Sequence, residues 1–157
     1  MKFAIKIYSL LFLLFVAMGC QVTDPFVDRT VAPVLVILET EAGVATSGLT
    51  TEPTITASAS KNATFSIRLL SLDKTGILDK SVGIDSIPVT GSSVRLALRS
   101  GQSVGDFVTD GNGRVTVSVP WSQLGIAAPK AGSAVALNCS GAYKEQAFTK
   151  LFRLSAN

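Results

Sequence analysis

Hydrophobic positions in this chain follow two different rules. Near the amino terminus they are continuous, with Ile7 to Ala17 interrupted only by Ser9. Beyond residue 31 they come in short stretches that alternate with polar residues, the period of a strand with one face in a core. Val94, Leu96 and Leu98 alternate with Arg95, Ala97 and Arg99, which predicts three apolar side chains inward and two arginines outward. Phe65, Ile67 and Leu69 share a face within Thr64 to Leu72, with Arg68 opposite. Val115, Val117 and Val119 repeat the pattern, as do Val135, Leu137 and Cys139. Ala147 to Leu154 is the last strand, its face interrupted by Lys150, and Val31 to Leu38, broken by Pro33, is an edge strand. Between Val104–Thr109 and Val115–Val119, Asp110-Gly111-Asn112-Gly113 supplies residues able to take positive φ, so this stretch reads as a hairpin. A further short strand is expected at Thr54–Ala57, and a single helical turn at Trp121–Leu124. About seven strands at these intervals predict an all-β fold, an antiparallel sandwich.

Composition separates the two regimes. Hydrophobic residues make up 47% of the 157, but 15 of the first 19 belong to that set. Removing those 19 leaves about 43%, ordinary for a globular domain. The apolar run of about eleven residues is shorter than the roughly 20 that span a bilayer, and with Lys2 and Lys6 before it the run matches a secretory signal. It ends in Ala17-Met18-Gly19-Cys20, which resembles the lipobox of bacterial lipoproteins, with Ala17 where that family usually has leucine. The resemblance implies that residues 1–19 are a removable signal peptide and that Cys20 is diacylated, joining the chain to the membrane. Gln21 after the cysteine, by the same resemblance, implies the outer membrane. Asp24-Pro25 and the charged stretch through Arg29 then form a tether over residues 20–30, and residues 31–157 form the sandwich.

Charge and cysteine narrow the partners. Residues 20–157 carry 12 basic and 11 acidic side chains, too even a balance for nucleic acid. With Cys20 acylated, Cys139 has no disulfide partner, and its place in an alternating strand reads as a small buried hydrophobe.

Ile87-Pro88-Val89, Val94-Arg95-Leu96-Ala97-Leu98, Ser100-Gly101 and Thr109-Asp110-Gly111-Asn112-Gly113-Arg114-Val115-Thr116-Val117 together resemble the bacterial immunoglobulin-like repeats of the invasin and intimin type. The resemblance runs from about Ala63 to Leu137. It implies an immunoglobulin-like sandwich and says little of function, because such modules serve as spacers, adhesins and accessory domains alike. Carboxypeptidase-regulatory-like and transthyretin-like sandwiches share the Thr-Asp-x-x-Gly hairpin and stay open as alternatives.

Candidate chemistry is sparse. There is no histidine, which removes Ser-His-Asp and Cys-His catalysis, imidazole bases and HExxH zinc sites. Asp110-Gly111-Asn112 opens like a calcium loop, but the twelfth position, where a bidentate glutamate belongs, is Trp121. Ser71-Leu72-Asp73-Lys74-Thr75-Gly76 overlays S-x-x-K on K-T-G with one shared lysine, whereas serine β-lactamases need two lysines far apart in sequence. Glu39 and Glu41 are the nearest carboxylate pair of the kind a glycosidase needs, roughly 5 to 9 Å apart in a cleft. No catalytic residue, metal ligand or cofactor is expected, and the chain is not expected to be an enzyme. The expected function is that of a lipid-anchored envelope module in a structural, adhesive or assembly role. The alternative is a glycan-binding accessory lipoprotein, with Trp121 and Tyr143 as the sugar platform, although Trp121, directly after Val119-Pro120, reads first as closing one end of the core.

Overall fold

The computed structural model describes residues 32–157. The expected signal peptide (1–19), the acylation site Cys20 and the whole tether (20–30) lie outside the described residues. Nine strands follow in chain order: β1 (Leu35–Thr40), β2 (Thr54–Ala57), β3 (Ala63–Asp73), β4 (Asp85–Pro88), β5 (Ser93–Leu98), β6 (Ser103–Val108), β7 (Arg114–Val119), β8 (Ala134–Tyr143) and β9 (Gln146–Ala156). A 3-10 turn at Trp121–Leu124 stands where the helical turn was expected, closed by Gly125 at φ +82°.

The strands form two sheets around one apolar core, an all-β sandwich. In the four-stranded sheet β3 is central, with β1 on one edge. The other edge is shared by β7 along Ala63–Arg68 and β4 along Leu70–Asp73. The five-stranded sheet runs β2-β9-β8-β5-β6. Alternation places Phe65, Ile67 and Leu69 of the first sheet and Val94, Leu96, Leu137, Cys139, Phe152 and Leu154 of the second fully inside. Phe65 meets Phe152 edge to face across the core, ring centroids 5.7 Å apart.

Three expectations are corrected. The described residues form nine strands rather than about seven. The one with no counterpart in the alternation pattern, β4, has all four residues exposed, so it shows no inward face in its sequence; it is a strand only because β3 extends far enough to pair with it. The sandwich is not wholly antiparallel, since β2 runs parallel to β9. The chain after β1 doubles back along that strand's outer edge, where the Thr46 amide donates to Leu38 O at 2.8 Å. It therefore enters β2 heading the same way as β9.

The third correction concerns the glycine-rich turn. β6 and β7 are not a hairpin; they lie in different sheets, and Thr109–Gly113 crosses between them. The buried Thr109 hydroxyl donates to Val89 O at 2.7 Å and accepts from the Ser92 amide at 2.9 Å. This binds the crossing to a second inter-sheet link, Val89–Ser92, which joins β4 to β5. Asp110 Oδ1 then accepts the amides of Asn112 and Arg114, both at 2.8 Å, and those bonds hold its carboxyl below the ordinary carboxylate value. Gly113, at φ +67°, slots between β3 and the end of β4, its carbonyl accepting from the Leu69 amide. A Cβ there would stand 2.6 Å from Leu69 O and 2.9 Å from Val89 N.

Two other signals differ in smaller ways. β1 starts at Leu35, after Pro33 rather than before it, because proline has no amide for the ladder. The tight turn between β8 and β9 puts Lys144 and Glu145 at φ +48° and +64°, a hairpin geometry usually marked by glycine or asparagine.

Gly113→Ala is expected to lower unfolding stability by about 2 to 3 kcal/mol, since both the positive φ and two backbone neighbours oppose a side chain; urea denaturation measures it. Asp110→Ala is expected to lower the melting temperature at neutral pH. The Asp110 carboxylate contributes fully above its ordinary value of 3.8 and progressively less as pH falls below it. The gap between variant and wild type should therefore close in strong acid, and a gap unchanged there would show that the charge has no part.

Candidate functional site

The two residues of the alternative sugar-platform reading stand at opposite ends of the strands. Trp121 follows β7 at the end where Val119 pairs with Ala63. It is 4% exposed, and its indole N–H donates to Ser58 O at 3.0 Å. The ring closes the core and offers no face to a ligand. Tyr143 ends β8 near the start of β5, where Val94 pairs with Gly141. Its ring packs partly against the core, and the Lys144 ammonium lies 5.3 Å from its centroid. No joint platform forms from this pair.

The other flagged residues resolve as follows. Cys139 is fully buried, and desolvation pushes its thiol up to about 12, so it is an inert core side chain. Glu39 and Glu41 are bound to different cations, Glu39 to two arginines and Glu41 to a lysine. Glu41 joins Lys61 at 2.8 Å on the surface. Lys150, on the core-facing side of β9, reaches out to donate to the Gly48 and Thr50 carbonyls, which fastens the loop before β2. Among the described residues, no group of three His, Cys, Asp or Glu side chains is placed to hold a metal.

The strongest charge cluster was not anticipated. On the outer face of the four-stranded sheet, Arg68 of β3 stands directly opposite Arg114 of β7. Like charges in that relation repel. Glu39 of β1 resolves this: one carboxylate oxygen takes Arg68 at 2.6 Å and the other takes Arg114. Its carboxylate is 2% exposed beneath guanidiniums that are 37% and 35% exposed. Three strands are thereby joined through one carboxylate. A sequence signal existed, since Glu39 directly follows an apolar run within the same strand while Arg68 and Arg114 sit at outward positions, but strand order was needed to bring the three together.

The two arginines line an open cleft of about 680 Å³, together with Leu70, Pro88, Asp110 and Asn112. Asp110 in the lining and Glu39 beneath the arginines balance the two cations. The cleft can offer hydrogen bonds to a polar surface but no net charge with which to capture an anion.

Strand edges are mostly blunted. The returning loop covers β1, β2 has only four residues, and β4 carries Pro88, which has no amide to donate. Comparison of the chain with family models, with curated proteins and with solved structures finds no match in any of the three.

Glu39→Gln is expected to lower stability by about 2 to 3 kcal/mol, less than for a fully buried pair because the guanidiniums are partly solvated. Adding Arg68→Met should restore part of the loss, since it removes the opposed charge. Strictly additive effects in this double-mutant cycle would show that the three groups do not act as a unit.

Proposed function

We propose that this chain is a lipid-anchored envelope protein, attached to the bacterial outer membrane through Cys20, whose immunoglobulin-like sandwich serves a structural, adhesive or assembly role without catalysis. The observation that carries the reading is the order of parts along the chain. A basic start, an apolar run of about eleven residues and Ala17-Met18-Gly19-Cys20 are followed by a polar stretch and then a self-contained β domain with its own core. The absence of histidine and the pairing of Glu39 with two arginines support the reading without catalysis. Sugar capture on Trp121 and Tyr143 is not part of the proposal, because Trp121 is enclosed in the core.

Cys20→Ala is expected to abolish incorporation of labelled fatty acid and to change how the protein is processed. Fatty-acid labelling that persists in the variant would sink the lipid-anchor reading.

A further inference from the structure

β3 is longer than the sheet that contains it. Its pairing with β1 stops at Leu70, opposite Leu35, and its pairing with β7 stops at Arg68. Beyond that point Ser71–Asp73 continue as a two-stranded arm with β4, adding about 10 Å before the chain turns. The loop at the tip, residues 74–84, is built from successive turns. Amides of Ile77, Asp79 and Val82 donate to the carbonyls of Lys74, Gly76 and Asp79 at 2.9 to 3.0 Å. Asp79 Oδ1 also takes the Ser81 amide at 2.9 Å, and Gly76 is in close contact with Val82, leaving no room for a Cβ.

This ordered tip turns its apolar side chains to water. Leu78 is 99% exposed, and Ile77, Val82, Ile84 and Ile87 are all exposed. Among the described residues nine large apolar side chains are exposed, and these five belong to the arm. Leu49 and Val108 lie at the same end of the sandwich: Gly48 packs on Leu35, and Val108 pairs with Ser93. Val44, beside Thr40 at the far end, and Leu151, within β9, are the remaining two. A folded surface does not gather apolar groups at one end without something to cover them.

The place where the chain enters the fold says what that is. Leu35, the first residue of β1, pairs with Leu70 at the base of the arm. The described chain therefore begins at the end from which the arm projects. The 15 residues from Cys20 to Leu35 can span at most about 50 Å, so an anchor at Cys20 would be joined to the fold at that end. The arm is a projecting apolar tip rather than a groove, a shape suited to the soft boundary between headgroups and acyl chains. Asp79 and Lys80, next to Leu78, would stay among the headgroups and limit the depth.

We propose that the β3–β4 arm inserts Ile77, Leu78 and Val82 into the surface of the same bilayer that holds the lipid on Cys20, so that the sandwich is fixed end-on by two contacts. This rests on the lipid anchor proposed above. The anchor supplies attachment, and the arm supplies orientation.

The test uses the full-length protein purified from membranes, with Leu78→Cys or Val44→Cys carrying a polarity-sensitive fluorophore. The buried Cys139 thiol stays unlabelled. After reconstitution in phosphatidylcholine–phosphatidylethanolamine vesicles, the Leu78 probe is expected to shift to the blue and to be quenched by lipids brominated on their acyl chains. The Val44 probe should match its emission in water. Mass spectrometry of the Cys20 peptide is read on the same sample. Acylated Cys20 with an unquenched Leu78 probe overturns the arm contact and leaves the anchor standing. An unmodified Cys20 overturns the anchor, and the proposal with it. A blue shift that appears only as protein density in the vesicles rises, without quenching by brominated lipid, assigns the tip to a second copy of the chain and also overturns the proposal.

Discussion

A single hydroxyl connects the two sheets at the point where the chain passes between them twice. Thr109 Oγ1 donates to the carbonyl of Val89 and accepts from the amide of Ser92, inside a region from which water is excluded. Backbone groups buried there without partners would cost about 1 to 3 kcal/mol each, so the crossings are stable only when made together. Everything at that end of the molecule follows from the joint. It sets where β4 ends, where β5 begins and where β7 enters beside β3.

Placing β7 there brings Arg114 opposite Arg68, a repulsive arrangement by itself. The carboxylate of Glu39 on β1 converts repulsion into a bridge that spans three strands. The cluster is thus a consequence of strand order as much as of residue identity. It explains why a buried acid ends the apolar run of the first strand. The cost of burying a carboxylate is offset by two guanidiniums that keep part of their own hydration.

The same joint gives the arm its freedom. Because β7 occupies the edge of β3 only as far as Arg68, the rest of that edge is open to β4, and the two extend past the body of the sandwich. The tip is ordered by its own turns and is not supported by the core. Its apolar residues add nothing to folding where they stand, which is the physical reason for assigning them to contact with something outside the domain.

Strand alternation was readable from the chain wherever one face is buried and the other wet. Phe65-Ile67-Leu69, Val94-Leu96-Leu98 and Val115-Val117-Val119 all face the core as their spacing requires. The turn at Trp121–Leu124 and the inert character of Cys139 were equally legible, because both depend on local pattern. β4 was not, since a strand exposed on both faces has no alternation to show. Asp110-Gly111-Asn112-Gly113 announced a tight turn but not whether it stays in one sheet, because hairpins and crossings use the same turn chemistry. Val119-Pro120 already pointed Trp121 into the core, where it lies, and only the fold set it and Tyr143 at opposite ends. By itself the sequence determined which residues seek the core and where the backbone bends. The tertiary structure decided which strands are neighbours, because pairing joins residues far apart in the chain and period-two patterning does not name the partner.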